Sequence, residues 1–169
     1  MKRKTILKWV AFILIAMIGE IFYLVLHEGG HALLAFFTLG KWFPIHIGID
    51  CYVDIPIKNT TNIDFAFIAI GSFILPEISY LILCLFKNAY ITMLRVFSSM
   101  GVHFNLIVSI IILIIGAEKY EEYDILLFQH YLSINTGIII VPLMSVLILN
   151  IFVEIETRGF NCIIEELDK

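Results

Sequence analysis

Residues Ile6 to Gly40 read ILKWVAFILIAMIGEIFYLVLHEGGHALLAFFTLG, an apolar run whose only acidic or basic side chains are Lys8, Glu20, His27, Glu28 and His31. About 20 apolar residues are enough to cross a bilayer as a helix. This run is longer, so it is expected to tilt or to extend past the hydrocarbon. It also exceeds a signal-peptide h-region and shows no small-residue cleavage site after Met-Lys-Arg-Lys, so we read it as a retained first span.

The rest of the chain has the same character. Of its 169 residues, 60% are hydrophobic, and the mean hydropathy is +0.97. A soluble domain of this size could not bury that much apolar surface. The formal net charge of −4 gives no reason to expect a nucleic-acid partner. Cys51, Cys84 and Cys162 form no C-x-x-C pair, which argues against a disulfide framework or a cysteine-held metal.

Further spans are expected at about 65–86, 91–115 and 137–153. The fold class is therefore an all-α integral membrane protein with about four transmembrane helices, read as one domain over residues 1–169. Gly40 is placed to end the first helix. Between the first two spans, at about 43–58, Ile45, Ile47, Ile49, Cys51, Val53, Ile55 and Ile57 alternate with His46, Gly48, Asp50, Tyr52, Asp54, Pro56 and Lys58. Period-two alternation predicts a short β-ribbon, either one extended strand or two strands turning near Asp50. Pro56 favours an edge, where an unfolded segment could add as a strand. His46 reads as an interfacial polar residue. Asn59-Thr60-Thr61-Asn62 is a turn, and Asp64 is expected to cap the second helix.

Polar residues inside the spans carry the most information, because charge at membrane depth is costly and normally faces the protein interior. Glu20 lies seven residues before His27, on nearly the same face. Two readings stand: a proton relay beneath a metal, or a protonated or hydrogen-bonded packing residue. Glu77, next to Pro76, is a functional candidate by depth. In the third span Arg95, Ser98, Ser99, His103 and Asn105 are expected to hydrogen-bond to neighbouring helices. The segment 116–135 is polar and acidic (Glu118, Lys119, Glu121, Glu122, Asp124, Gln129, His130), and the tail from Glu154 carries Ile163 and Ile164 as a short surface helix. Lys2, Arg3, Lys4, Lys8, Lys87 and Arg158 cluster on one side under the positive-inside rule. Both termini are thus expected to be cytoplasmic, in the cell membrane.

His27 and His31 are four residues apart on a helix, so they project from one face and can grip one zinc ion. Glu28 then lies beside the metal, where it can take a proton from water. Gly29 and Gly30 each cost about 1 kcal/mol in a helix interior. That cost suggests close approach of a neighbouring helix or of substrate backbone. A catalytic zinc commonly takes three protein ligands and a water. Counting 1.5 Å per residue from Lys8 puts His27 roughly 28 Å up, near the outer boundary, with Glu20 at about 18 Å. His103 comes to about 21 Å. Asp124 lies in the outward segment and reaches the histidines without crossing the bilayer, so it is the expected third ligand, with His130 and His103 in reserve.

The helix His27-Glu28-Gly29-Gly30-His31-Ala32 resembles the H-E-x-G-H-A helix of M50-type, site-2-protease-like membrane metalloproteases. The resemblance is specific over about 25–40, and Ala69-Ile70-Gly71-Ser72 is weakly similar to that family's glycine-containing second core helix. In that family an aspartate on a later segment completes the site, a role the resemblance assigns to Asp124. The chain departs from the family's usual Leu-Asp-Gly at this point, having Tyr123-Asp124-Ile125. The resemblance implies a Zn2+-dependent peptidase acting in or beside the membrane, with Glu28 as general base, on a membrane-protein or peptide substrate among membrane lipid. Two other readings stay open. One is a non-catalytic membrane protein with a structural or sensing metal, and the other is a membrane metallohydrolase with a non-peptide substrate.

Overall fold

The computed structural model describes residues 3–48, 51–56, 60–86, 88–116 and 123–168. The helices are α1 (Arg3–Leu39), α2 (Asn62–Leu83), α3 (Ala89–Ile115), α4 (Asp124–Leu132), α5 (Thr136–Thr157) and α6 (Gly159–Asp168). Strands β1 (Ile45–His46) and β2 (Tyr52–Val53) lie between α1 and α2. Among the described residues, four helices are long and apolar enough to cross a membrane: Ile6–Leu39, Asn62–Leu83, Ala89–Ile115 and Thr136–Thr157. The expected turn at Asp50, the ribbon end at Ile57 and Lys58, and Lys2, Lys87, Glu118, Lys119, Glu121 and Glu122 lie outside the described residues.

At 37 residues, α1 is about 55 Å long and overshoots a ~30 Å hydrocarbon core. It ends where Gly40 takes a left-handed φ of 69° and its N–H returns to the Phe36 carbonyl. β1 and β2 then pair antiparallel, with Ile45 opposite Val53 and His46 opposite Tyr52. The ribbon is much shorter than the 43–58 expected from alternation. Its pattern holds at the paired residues: Ile45 and Val53 are half-buried, while His46 and Tyr52 are exposed and stack ring on ring at 4.6 Å. That stack gives His46 a partner within the ribbon.

α2 begins three residues before the expected start. Thr61 is its N-cap, and Asp64 closes a capping box, its carboxylate accepting from the Thr61 N–H at 3.0 Å. Asp64 is therefore the third helical residue and not the cap. The chain runs through Pro76 within one continuous α2. α3 is capped by Asn88 and stopped by left-handed Gly116.

α5 continues past the expected end at 153 because its first charged residue is neutralised. Glu154 is buried and accepts from Arg95 Nη2 at 3.2 Å, and the same nitrogen donates to Thr157 Oγ1 at 2.8 Å. Arg95 thus reaches a neighbouring helix, as expected. Ser98 and Ser99 do not. Their hydroxyls donate to the Arg95 and Val96 carbonyls of their own helix, which satisfies them without a partner element.

Two apolar clusters fix the ends of the bundle. At one end Ile163 of α6 packs with Met93, Val96 and Phe97 of α3 against Phe12, Ile15 and Ala16 of α1, while Ile164 faces outward. At the other, Ile125 of α4 is buried with Leu113 and Ile139, and Phe73 packs on them. The 124–132 part of the expected acidic loop is therefore a helix, held by this contact and by a Phe65–Tyr131 stack at 5.2 Å. The position of α4 sets the position of Asp124.

Candidate metal centre

The two histidines of α1 stand one turn apart, with ring centroids 5.3 Å apart. What brings α2 to them is glycine. Gly30 and Gly71 meet backbone to backbone, and a Cβ on either would overlap the other's carbonyl. This contact lets His31 Nδ1 donate to the Ile68 carbonyl at 2.8 Å. Gly29 has a different neighbourhood, where a Cβ would meet only the ends of Leu75 and Ile45.

Asp124 arrives from the opposite direction, as the first residue of α4, one position before buried Ile125. Its Oδ2 lies 3.2 Å from His27 Nε2 and its Oδ1 3.3 Å from His31 Nε2. The Glu28 carboxylate is 4.0 Å from His27 Nε2. Burial alone would raise the Asp124 pKa, but the hydrogen bonds and charge of the two imidazoles outweigh it and hold the carboxyl well below its usual range.

The ring nitrogens facing away are also engaged. His27 Nδ1 is 3.4 Å from the Tyr23 hydroxyl, and Asn105 hydrogen-bonds Tyr23 in turn. Since His31 donates through Nδ1, its neutral form presents a lone pair at Nε2 toward the Asp124 carboxylate. Two such bases at 3.3 Å repel unless a proton or a metal ion lies between them. Charge-assisted N–H···O bonds run shorter, at about 2.7–2.9 Å. The two imidazoles each face one oxygen of the carboxylate, so the three side chains converge on one point where an ion could sit. Histidine ligands characteristically donate their remote N–H to an oxygen, as His31 does here. The two-imidazole, one-carboxylate donor set suits a divalent transition metal.

Among the described residues, His27, His31 and Asp124 form the group of His, Cys, Asp and Glu that could hold a metal ion, their ligand atoms lying within 4.8 Å of one another. The reserve candidates do not join it. His103 packs its ring 6.2 Å from Tyr80 with Nε2 buried, and exposed His130 lies beside Tyr131. Glu77 accepts from Asn150 Nδ2 at 3.0 Å, which ties α2 to α5. Tyr23 was not singled out from the sequence, yet it lies four residues before His27 on the same helical face, a signal already present in the spacing.

His27, Glu28 and Asp124 line a groove of about 840 Å³ between α1 and α3, which reaches Cys51 and Tyr123 at its outer end and Glu20 deeper in. Comparison with protein-family models, with curated proteins and with solved structures finds no match to this chain.

Proposed function

We propose that this chain is a zinc-dependent peptidase of the membrane, of the M50-type, site-2-protease-like kind, hydrolysing a peptide bond in or beside the bilayer. One observation carries the reading: the Asp124 carboxylate meets the Nε2 atoms of both histidines at 3.2 and 3.3 Å, with Glu28 alongside in an open groove. Among the described residues, three protein donors fit the catalytic pattern, in which a coordination position stays open, better than a closed four-ligand structural site. This favours an enzyme over a protein with a structural or sensing metal.

His27, His31 and Asp124 would hold the ion. When bound, zinc supplies Lewis acidity, polarising the scissile carbonyl and lowering the pKa of water to about 7. Glu28 is placed to accept the proton of the attacking water and then to deliver it to the leaving amine. The Ile68 carbonyl and the Tyr23 hydroxyl fix the ring orientations of His31 and His27, so that both Nε2 atoms face Asp124. The ribbon packs over Gly29 through Ile45 and offers a strand edge to an extended substrate.

The test is Glu28→Gln in the full chain, reconstituted in vesicles with membrane-spanning peptides. The expected outcome is bound zinc at wild-type stoichiometry with cleavage abolished. Cleavage that persists in this variant refutes the mechanism.

A further inference from the structure

Glu20 is the one acidic side chain of α1 that the metal site does not use. It is exposed, it forms no hydrogen bond or ion pair among the described residues, and it lies in the groove that holds His27 and Glu28. The polar groups of α3 in the groove lie higher, level with the histidines, and are engaged: Ser109 donates to Asn105, and Asn105 meets Tyr23. Between Glu20 and the histidines the walls of the groove are apolar, formed by Leu24, Met100 and Phe104. Phe104 is 70% exposed, so the groove opens sideways where lipid would lie. An unpaired carboxylate facing hydrocarbon is costly. It becomes favourable when a donor reaches it from a partner within the membrane.

We infer that Glu20 is a specificity-determining residue, which selects a membrane-inserted peptide bearing a basic side chain that pairs with it in the α1/α3 groove. The inference rests on the peptidase reading and names the substrate class of the same site. Helical rise places Glu20 about 10 Å below His27. The basic residue would therefore lie about three residues from the scissile bond in an extended substrate, or seven in a helical one. Polar pairs within membranes change association by about threefold to thirtyfold, which sets the expected size of the preference.

The experiment uses synthetic single-span peptides of leucine and alanine, each with one lysine at a successive position, in vesicles with the full zinc-loaded protein. Association is read by energy transfer between labels, and cleavage is read separately from the products. Wild-type protein should bind one narrow window of lysine positions threefold to thirtyfold more tightly than the lysine-free peptide. Glu20→Gln should lose this preference while keeping its zinc. Glu20→Lys should transfer the preference to peptides carrying aspartate at the same position. Binding that ignores lysine position, or a preference that survives Glu20→Gln, overturns the inference. Position-dependent binding without cleavage supports the pairing and refutes the peptidase reading. Cleavage indifferent to lysine position refutes the pairing and leaves the peptidase reading standing.

Discussion

Replacing Gly30 by alanine adds one methyl group where α1 and α2 meet backbone to backbone. The new Cβ would overlap the Gly71 carbonyl, and no flexible side chain is there to yield. To restore van der Waals separation the helices must part by on the order of 1 Å. The His31–Ile68 hydrogen bond, now 2.8 Å, would then stretch beyond useful geometry. Overpacking of this kind costs about 1–3 kcal/mol, and the lost hydrogen bond about 0.5–1.5 more. Alanine's better helix propensity returns about 1 kcal/mol, leaving a net loss of about 0.5–3.5 kcal/mol. Loosening the oxygen partner of a ligand histidine should also weaken metal binding by about tenfold to a hundredfold. Gly29→Ala is the matched control, since its Cβ would meet only the Leu75 Cδ2 at 3.3 Å and the Ile45 Cδ1 at 4.0 Å. It should be neutral or slightly stabilising. Unfolding in mixed detergent micelles measures the first effect, and zinc competition with a chromophoric chelator measures the second. If Gly30→Ala matches Gly29→Ala in both, the helix crossing does not position the site.

Other consequences follow from packing. Ile125→Ala should cost about 2–5 kcal/mol through the cavity left among Leu113, Ile139 and Phe73, and should lower zinc affinity by freeing α4, both readable in the same assays. Arg95→Met leaves Glu154 buried and unpaired, so unfolding measurements should show a loss of about 3–5 kcal/mol. Adding Glu154→Leu to Arg95→Met should recover most of it, because the penalty comes from the orphaned charge. Failure of that double variant to recover would mean that the pair does more than neutralise itself.

The spans and the ribbon were legible because their signals are local: long apolar runs, period-two alternation, and His27 and His31 one turn apart. The order of the spans also put Asp124 on the same side as the histidines, within reach of which its carboxylate lies. The features that escaped depend on residues far apart in the chain. α4 has nine residues, too few to be stable as an isolated helix, and it is held by Ile125 and by the Phe65–Tyr131 stack. Glu154 looked like the end of a span because its neutralising partner, Arg95, lies 59 residues away. Gly30 announced a close approach, but only the fold identifies Gly71 as its partner. Alternation over 43–58 overstated the ribbon, since a repeating pattern marks which residues could pair and not how many do.

The most direct test of the central claim is the zinc K-edge X-ray absorption spectrum of the purified full chain loaded with one equivalent of zinc. The account predicts two imidazole nitrogens, one carboxylate oxygen and one further light-atom donor at about 2.0–2.2 Å, with the carboxylate contribution lost in Asp124→Ala. Failure to retain zinc, a sulfur shell near 2.3 Å, or a spectrum unchanged in Asp124→Ala would contradict it.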